Sequence, residues 1–307
     1  MGGSRLLCAA LALFAAWVSP VRAADRVVVG FAQDTLANDW RAAQVRHFIA
    51  ALSGHPEIEV VVTNAGGSTA QQIMDVENLT AQGVKVLVTS PRDGDALAPA
   101  IAAAHAKGIP VVLLTRRAAT ESYTTFIGPD DHAIGRHAAE FLNTRLGGRG
   151  RILVLTGVPT ASTAIARTTG FVAALTAYPG LDIVAMRPGN YLRADALNAT
   201  EDAVLSGLAF DAIYAQSDSM ASGARLALKG NGIAPASKPT IGIDYIREAR
   251  DAIRAGEQEA SFLYPTCARE GAEIVLKLLK GQKVPREIVV PSELVTRENV
   301  DDVAPIF

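Results

Sequence analysis

The chain has 307 residues, 49% of them apolar, with 29 basic and 31 acidic side chains for a formal charge of −2. A near-neutral chain without a basic stripe argues against nucleic acid or an anionic membrane surface as partner. Its length is ample for two domains of ordinary size.

Arg5, the apolar run Leu6 to Val18 and the ending Val21-Arg22-Ala23 form the pattern of a secretory signal peptide over residues 1–23, cleaved after Ala23. The run is shorter than the roughly 20 apolar residues a membrane span needs. Cleavage removes Arg5 and Arg22, leaving 27 basic against 31 acidic residues, a net charge of −4. Cys267 is then the remaining cysteine, so an exported fold has to hold without an internal disulfide.

From Asp25 onward short apolar runs alternate with helical periodicity. Val27 to Val29 is a first strand, followed by a polar loop to Asp39 and a helix from about Trp40 to Leu52. Strand Ile58 to Val62, a helix from Thr69, strand Val84 to Val88, a helix over 96–106 and strand Val111 to Leu114 follow. Tyr123 to Ile127 is another short strand, broken at Gly128-Pro129-Asp130. A second series runs through a helix at 132–145, strand Ile152 to Leu155, a helix at 162–177, strand Asp182 to Met186 and a helix at 194–205.

The clearest unit is next. Ala212 to Ala215 reads as a buried strand, Gln216-Ser217-Asp218-Ser219 as a polar tip, and Met220, Ala224 and Leu228 give the following helix an apolar face. Strand Ile241 to Ile243, a helix to Ala255, strand Ala260 to Tyr264, a helix at 266–279 and a last strand Ile288 to Val290 complete the chain. Strands separated by helices imply parallel sheets with right-handed crossovers. There are too many units for one comfortable sheet, so the expectation is α/β, in two doubly wound lobes.

Signatures of cofactor chemistry and catalysis are missing. No G-x-G-x-x-G follows the first strand, and there is no phosphate-binding loop, H-E-x-x-H pair or G-x-S-x-G elbow. His132 and His137 are five apart, which does not put both on one helix face, so no metal site is expected. Polar and aromatic residues gather instead at strand ends and nearby loops: Asn38 and Trp40, Thr115 and Arg116, Arg167, Tyr191, Ser217 and Asp218, and Asp244. In open α/β sheets ligands bind at the carboxyl ends of strands. Charged forks and flat rings together suit a sugar, whose hydroxyls need donors and acceptors while its C–H faces pack on rings. Helix capping alone would explain Asp218 equally well.

The stretches LTAQGVKVLVTSPRDGDAL (79–97), KGIPVVLLTRR (107–117), ARTTGF (166–171), IYAQSDSMASGARLAL (213–228) and IGID (241–244) carry a resemblance, together with the L-K-G-x-x-V-P ending of the late run 261–285. In order and spacing the chain resembles a type I periplasmic solute-binding protein of the ribose/galactose class, which feeds sugars to ABC transporters. The resemblance implies two lobes, 24–128 plus 265–284 and 129–264 plus 285–307, joined by crossovers near Gly128-Pro129, Tyr264-Pro265 and Pro285. It implies a periplasmic monomer that closes by hinge motion on a carbohydrate-like ligand and docks on a membrane permease, with no cofactor and no turnover. Asn38 and Trp40 would line the cleft, Trp40 stacking on the sugar ring. Arg116 and Arg167 would clamp oxygens, Tyr191 would oppose Trp40, Asp244 would accept, and Tyr264 would add a polar group near a crossover. Thr115 stands where such sugar binders often carry Asp, and Ser217 where Asn is usual, so the ligand's identity stays open. A sensory receptor and a secreted sugar-modifying enzyme are the rival readings.

Overall fold

A computed structural model describes residues 26–307; the expected signal peptide lies outside them. The first lobe begins β1 (Val27–Gln33), α1 (Asp39–Ala51), β2 (Ile58–Asn64), α2 (Thr69–Ala81), β3 (Val86–Thr89), α3 (Gly94–Ala106), β4 (Val111–Leu114) and β5 (Thr125–Gly128). The second contains α4 (Asp131–Arg145), β6 (Gly150–Thr156), α5 (Ser162–Leu175), β7 (Leu181–Pro188), α6 (Arg193–Leu205), β8 (Ala212–Ala215), α7 (Asp218–Gly230), β9 (Thr240–Asp244), α8 (Arg247–Arg254) and β10 (Ala260–Leu263). The chain closes with α9 (Ala268–Leu279), β11 (Glu287–Val289) and β12 (Glu293–Thr296).

Two six-stranded sheets result, ordered β11-β5-β4-β3-β1-β2 and β12-β10-β9-β8-β6-β7. Every pairing is parallel except β10 with β12. In each sheet the strand order reverses next to the first strand of the lobe, β1 or β6, so both lobes open a crevice at the carboxyl ends of their central strands.

Each sheet is covered on both faces, which is why its central strands are unbroken apolar runs. Val86, Leu87 and Val88 of β3 are fully buried, as are Ala212, Ile213 and Tyr214 of β8. The apolar face foreseen on α7 is real: Met220, Ala224 and Leu228 are buried against β6 and β8. Helix α9 returns to the first lobe, where Ala272, Ile274 and Val275 join the core of Phe31, Val88 and Leu114.

The chain therefore crosses between sheets after Gly128, after Leu263 and after Val289. The third crossing corrects the sequence expectation, which put it near Pro285 and assigned all of 285–307 to the second lobe. Glu287, Ile288 and Val289 pair in parallel with Phe126, Ile127 and Gly128 of the first sheet. Val284-Pro285 is a connection within the first lobe, and Val290-Pro291 is the true bridge. It leads into β12, a strand not foreseen from the sequence, whose antiparallel pairing closes the edge of the second sheet.

Candidate functional site

The site forms where the strand tips of the two lobes face each other. Asn38 caps α1: its Oδ1 accepts from the Arg41 amide at 2.9 Å. Its Nδ2 reaches across the cleft and donates to the Tyr191 carbonyl at 2.7 Å. Trp40, in the first turn of α1, buries its ring beside Tyr264, with centroids 5.6 Å apart, and its Nε1 donates to the Tyr264 carbonyl. The same ring packs with Ile134, Phe171 and Tyr214 of the second lobe.

A buried arginine pair lies behind these residues. Arg116 Nη1 donates to Asp34 Oδ2 at 2.7 Å. Arg41 approaches the other oxygen of Asp34 at 3.7 Å and donates through Nη1 to Gln44, Ser90 and Thr115. Burial opposes charge on Asp34, but Arg116 and Arg41 outweigh it and hold the carboxyl below its usual range. Burial, then the neighbouring Arg116 charge, pull Arg41 down to about 10.

The second lobe supplies Arg167, one helical turn into α5. Its Nε donates to Asp131 at 2.8 Å and its Nη1 to the Gln216 carbonyl at 2.6 Å, and its plane lies 4.4 Å from the Tyr264 ring centroid. Asp131 also accepts from the Tyr264 hydroxyl at 3.1 Å. Although burial weighs against it, the Asp131 carboxylate beside Arg167 keeps the guanidinium firmly charged. Tyr191 enters from the loop after β7 at φ 63°, and its hydroxyl bonds Thr163 at 2.8 Å. A Cβ on Gly157 would fall inside that ring, so only glycine lets the tyrosine lie there. Asp244 ends β9 at φ 118°, a strained conformation for a residue other than glycine. Burial, and then the nearby Asp218 carboxylate, push its pKa well above the ordinary carboxylate range.

Nine residues line the resulting narrow cleft: Asn38, Trp40, Arg41, Arg116, Thr163, Arg167, Tyr191, Asp244 and Tyr264. Seven of the ten residues singled out in the sequence converge here.

The other three do not line it. Thr115, at φ 62°, turns its hydroxyl to the Leu114 carbonyl and accepts from Arg41, so it supports that side chain from behind. Ser217 caps α7 by accepting from the Met220 amide. Asp218 lies beneath β9, where Gln258, Ser261 and the Tyr245 amide all donate to it at 2.7 Å. Burial pushes the Asp218 carboxyl up to about 6 despite those bonds.

Sequence reasoning missed Arg41 and Thr163. Arg41 left a trace, since a cation in the first turn of a helix opposes the helix dipole and so asks for another reason to be there. Thr163 left none. Arg117, next to Arg116, is half exposed and pairs with Glu287 at 2.5 Å. Among the described residues no cluster of His, Cys, Asp and Glu is arranged to hold a metal.

With the geometry in place, comparisons with known proteins agree on its class. The family model described as "Periplasmic binding protein domain" matches residues 29–283. The xylitol-binding protein of Mycolicibacterium smegmatis is 31% identical over 247 residues, covering 80% of this chain and 70% of that protein. The ribose import binding protein of Haemophilus influenzae is 31% identical over 242 residues, covering 78% and 81%. Among solved structures, the fructose-binding periplasmic domain of a hybrid two-component system superposes with a TM-score of 0.86 at 26% identity, covering 90% of this chain and 93% of that one.

Proposed function

The chain belongs to the periplasmic binding protein domain family, and from that premise we propose that it is the periplasmic substrate-binding component of an ABC transporter. Its ligand is a small sugar or sugar-like solute, held between the lobes. One observation carries this reading: strand tips and helix starts of both lobes deliver three guanidiniums, a carboxyl group and three aromatic rings to one small space. Such a site grips a polyhydroxylated ring from both sides. The relatives named for ribose import and for xylitol binding support the solute class. The protein works by binding rather than turnover.

Ligand contacts drawn from both lobes stabilise the closed form, and a membrane permease then reads the closed surface. The working unit is a monomer exported after loss of residues 1–23. The ten residues singled out in the sequence divide accordingly. Asn38, Trp40, Arg116, Arg167, Tyr191, Asp244 and Tyr264 contact the ligand, while Thr115, Ser217 and Asp218 hold them in place.

A thermal-shift screen of residues 24–307 against pentoses, hexoses, polyols and sugar acids tests the reading. A ligand that binds only the folded state raises the melting temperature with its saturation. A shift that disappears in Asp244→Ala is the expected result. No shift with any of these solutes would sink the carbohydrate assignment. Light scattering behind a sizing column checks the monomer.

A further inference from the structure

The three cleft arginines are unevenly matched. Arg116 holds Asp34 at 2.7 Å and Arg167 holds Asp131 at 2.8 Å, each a direct charged hydrogen bond. Arg41 has no carboxylate of its own. Its approach to Asp34 is 3.7 Å, to a group that Arg116 already occupies, and its three hydrogen bonds all leave from Nη1 toward neutral side chains. It nevertheless lines the cavity and is 94% buried, its residue exposure being 6%. Arg116 beside it keeps a buried Nε without a partner. A buried cation is costly unless an anion meets it.

Asp244 does not supply that anion. It forms no ion pair within 4 Å among the described residues, and burial beside Asp218 favours its neutral, hydrogen-bond-donating form. Thr115, the neighbour that could have carried a carboxylate, offers Arg41 a hydroxyl instead. The lined space therefore holds one positive charge in excess.

We propose, building on the carbohydrate reading above, that the ligand carries a carboxylate which meets Arg41 and the free edge of Arg116, so that the cleft takes a sugar acid in preference to the matching neutral sugar. A single excess charge fits the one negative charge of a carboxylate better than the nearly two of a phosphate ester. A guanidinium fork receives a carboxylate through two parallel bonds, which fixes the ring's orientation as well as its charge.

The test is isothermal titration calorimetry of residues 24–307 with matched pairs. These are D-galacturonate and D-galactonate against D-galactose, D-glucuronate and D-gluconate against D-glucose, and D-ribonate against D-ribose, with D-ribose 5-phosphate as the phosphate arm. The expected result is an acid that binds at least about tenfold tighter than its neutral partner. Arg41→Gln should bring the two within about threefold. So should Thr115→Asp, which places a carboxylate next to Arg41 and tests the idea even if Arg41→Gln does not fold. A neutral sugar that equals or beats its acid overturns the charge assignment and leaves the carbohydrate reading standing, as does a phosphate ester that binds tightest. An acid preference untouched by both substitutions overturns the role of Arg41. If cooperatively folded protein binds no acid and no neutral sugar, the carbohydrate reading itself falls and takes this inference with it.

Discussion

Arg167 illustrates how one side chain serves both the fold and the cleft. Its guanidinium satisfies Asp131 and the Gln216 carbonyl while lying on the Tyr264 ring. Arg167→Ala strands a buried carboxylate, so calorimetric unfolding should show a loss of about 3–5 kcal/mol, and ligand binding should disappear. Arg167→Lys keeps the charge but not the fork; it should retain most of the stability and weaken ligand affinity by about tenfold or more. Asp218 is the contrasting case. Its partners Gln258, Ser261 and the Tyr245 amide are all internal. Asp218→Ala leaves buried donors unpaired and should cost about 3 kcal/mol or more in urea unfolding. The affinity of the folded fraction should change by less than about tenfold. Loss of binding without loss of stability would instead make Asp218 a ligand contact.

At the scale of elements, the α4–α5 crossing sets where Arg167 points. A Cβ on Gly135 of α4 would stand 2.1 Å from the Arg167 carbonyl, and one on Gly170 of α5 would stand 2.1 Å from the His132 carbonyl. The two helices meet backbone to backbone, each glycine admitting the other helix. Gly135→Ala forces them apart and should cost about 3 kcal/mol. It should also weaken the ligand by about tenfold or more, because α5 carries Arg167 into the cleft. Unchanged affinity in that variant would detach the site from the crossing. A second element-level contact is sensitive to pH. Arg151 at the start of β6 grips Asp211, just before β8, through side-chain and backbone bonds. These hold the Asp211 carboxyl down at about 2. An acid whose pKa is lowered by folding adds stability above its unfolded value of about 3.9. That contribution fades as pH falls from about 4 through about 2. In Arg151→Ala the Asp211 carboxyl should titrate closer to 3.9 in a carbon-detected NMR titration, and acid unfolding over that window should become shallower.

For the molecule as a whole, the two lobes touch directly as well as through the cavity. The Arg117 amide donates to Ser162 Oγ at 2.8 Å, the Thr160 hydroxyl donates to the Arg92 carbonyl at 3.2 Å, and Asn38 donates to the Tyr191 carbonyl. Such bonds exist only when the cleft is closed, so they add to the closed state without touching the ligand. Ser162→Ala removes one of them. A net hydrogen bond of about 0.5–1.5 kcal/mol predicts an affinity weaker by about two- to tenfold. X-ray scattering should show the radius of gyration falling on addition of ligand, with more ligand needed in the variant. A variant identical to the parent in both readings would remove the rim contacts from the closure energy.

What the sequence determined by itself was whatever is written in local pattern. Alternating apolar runs and helical periodicity gave the α/β class and two lobes, because burial on both faces demands unbroken apolar strands and the covering helices need a one-sided stripe. The polar tips after β1, β4, β8 and β9 were legible because capping and strand termination are short-range chemistry. Tertiary structure decided which tip residues look into the cleft. Asp218 and Asp244 are alike as carboxylates after strands, but Gln258 and Ser261, some forty residues away in sequence from Asp218, claim it, while Asp244 is left facing the cavity. Arg41 was hidden for the same reason: its setting is built by Asp34, Ser90 and Thr115, which only the folded sheet brings together. The place of β11 was likewise undecidable locally, since three residues carry no mark of the sheet they join; the pairing with β5 settles it.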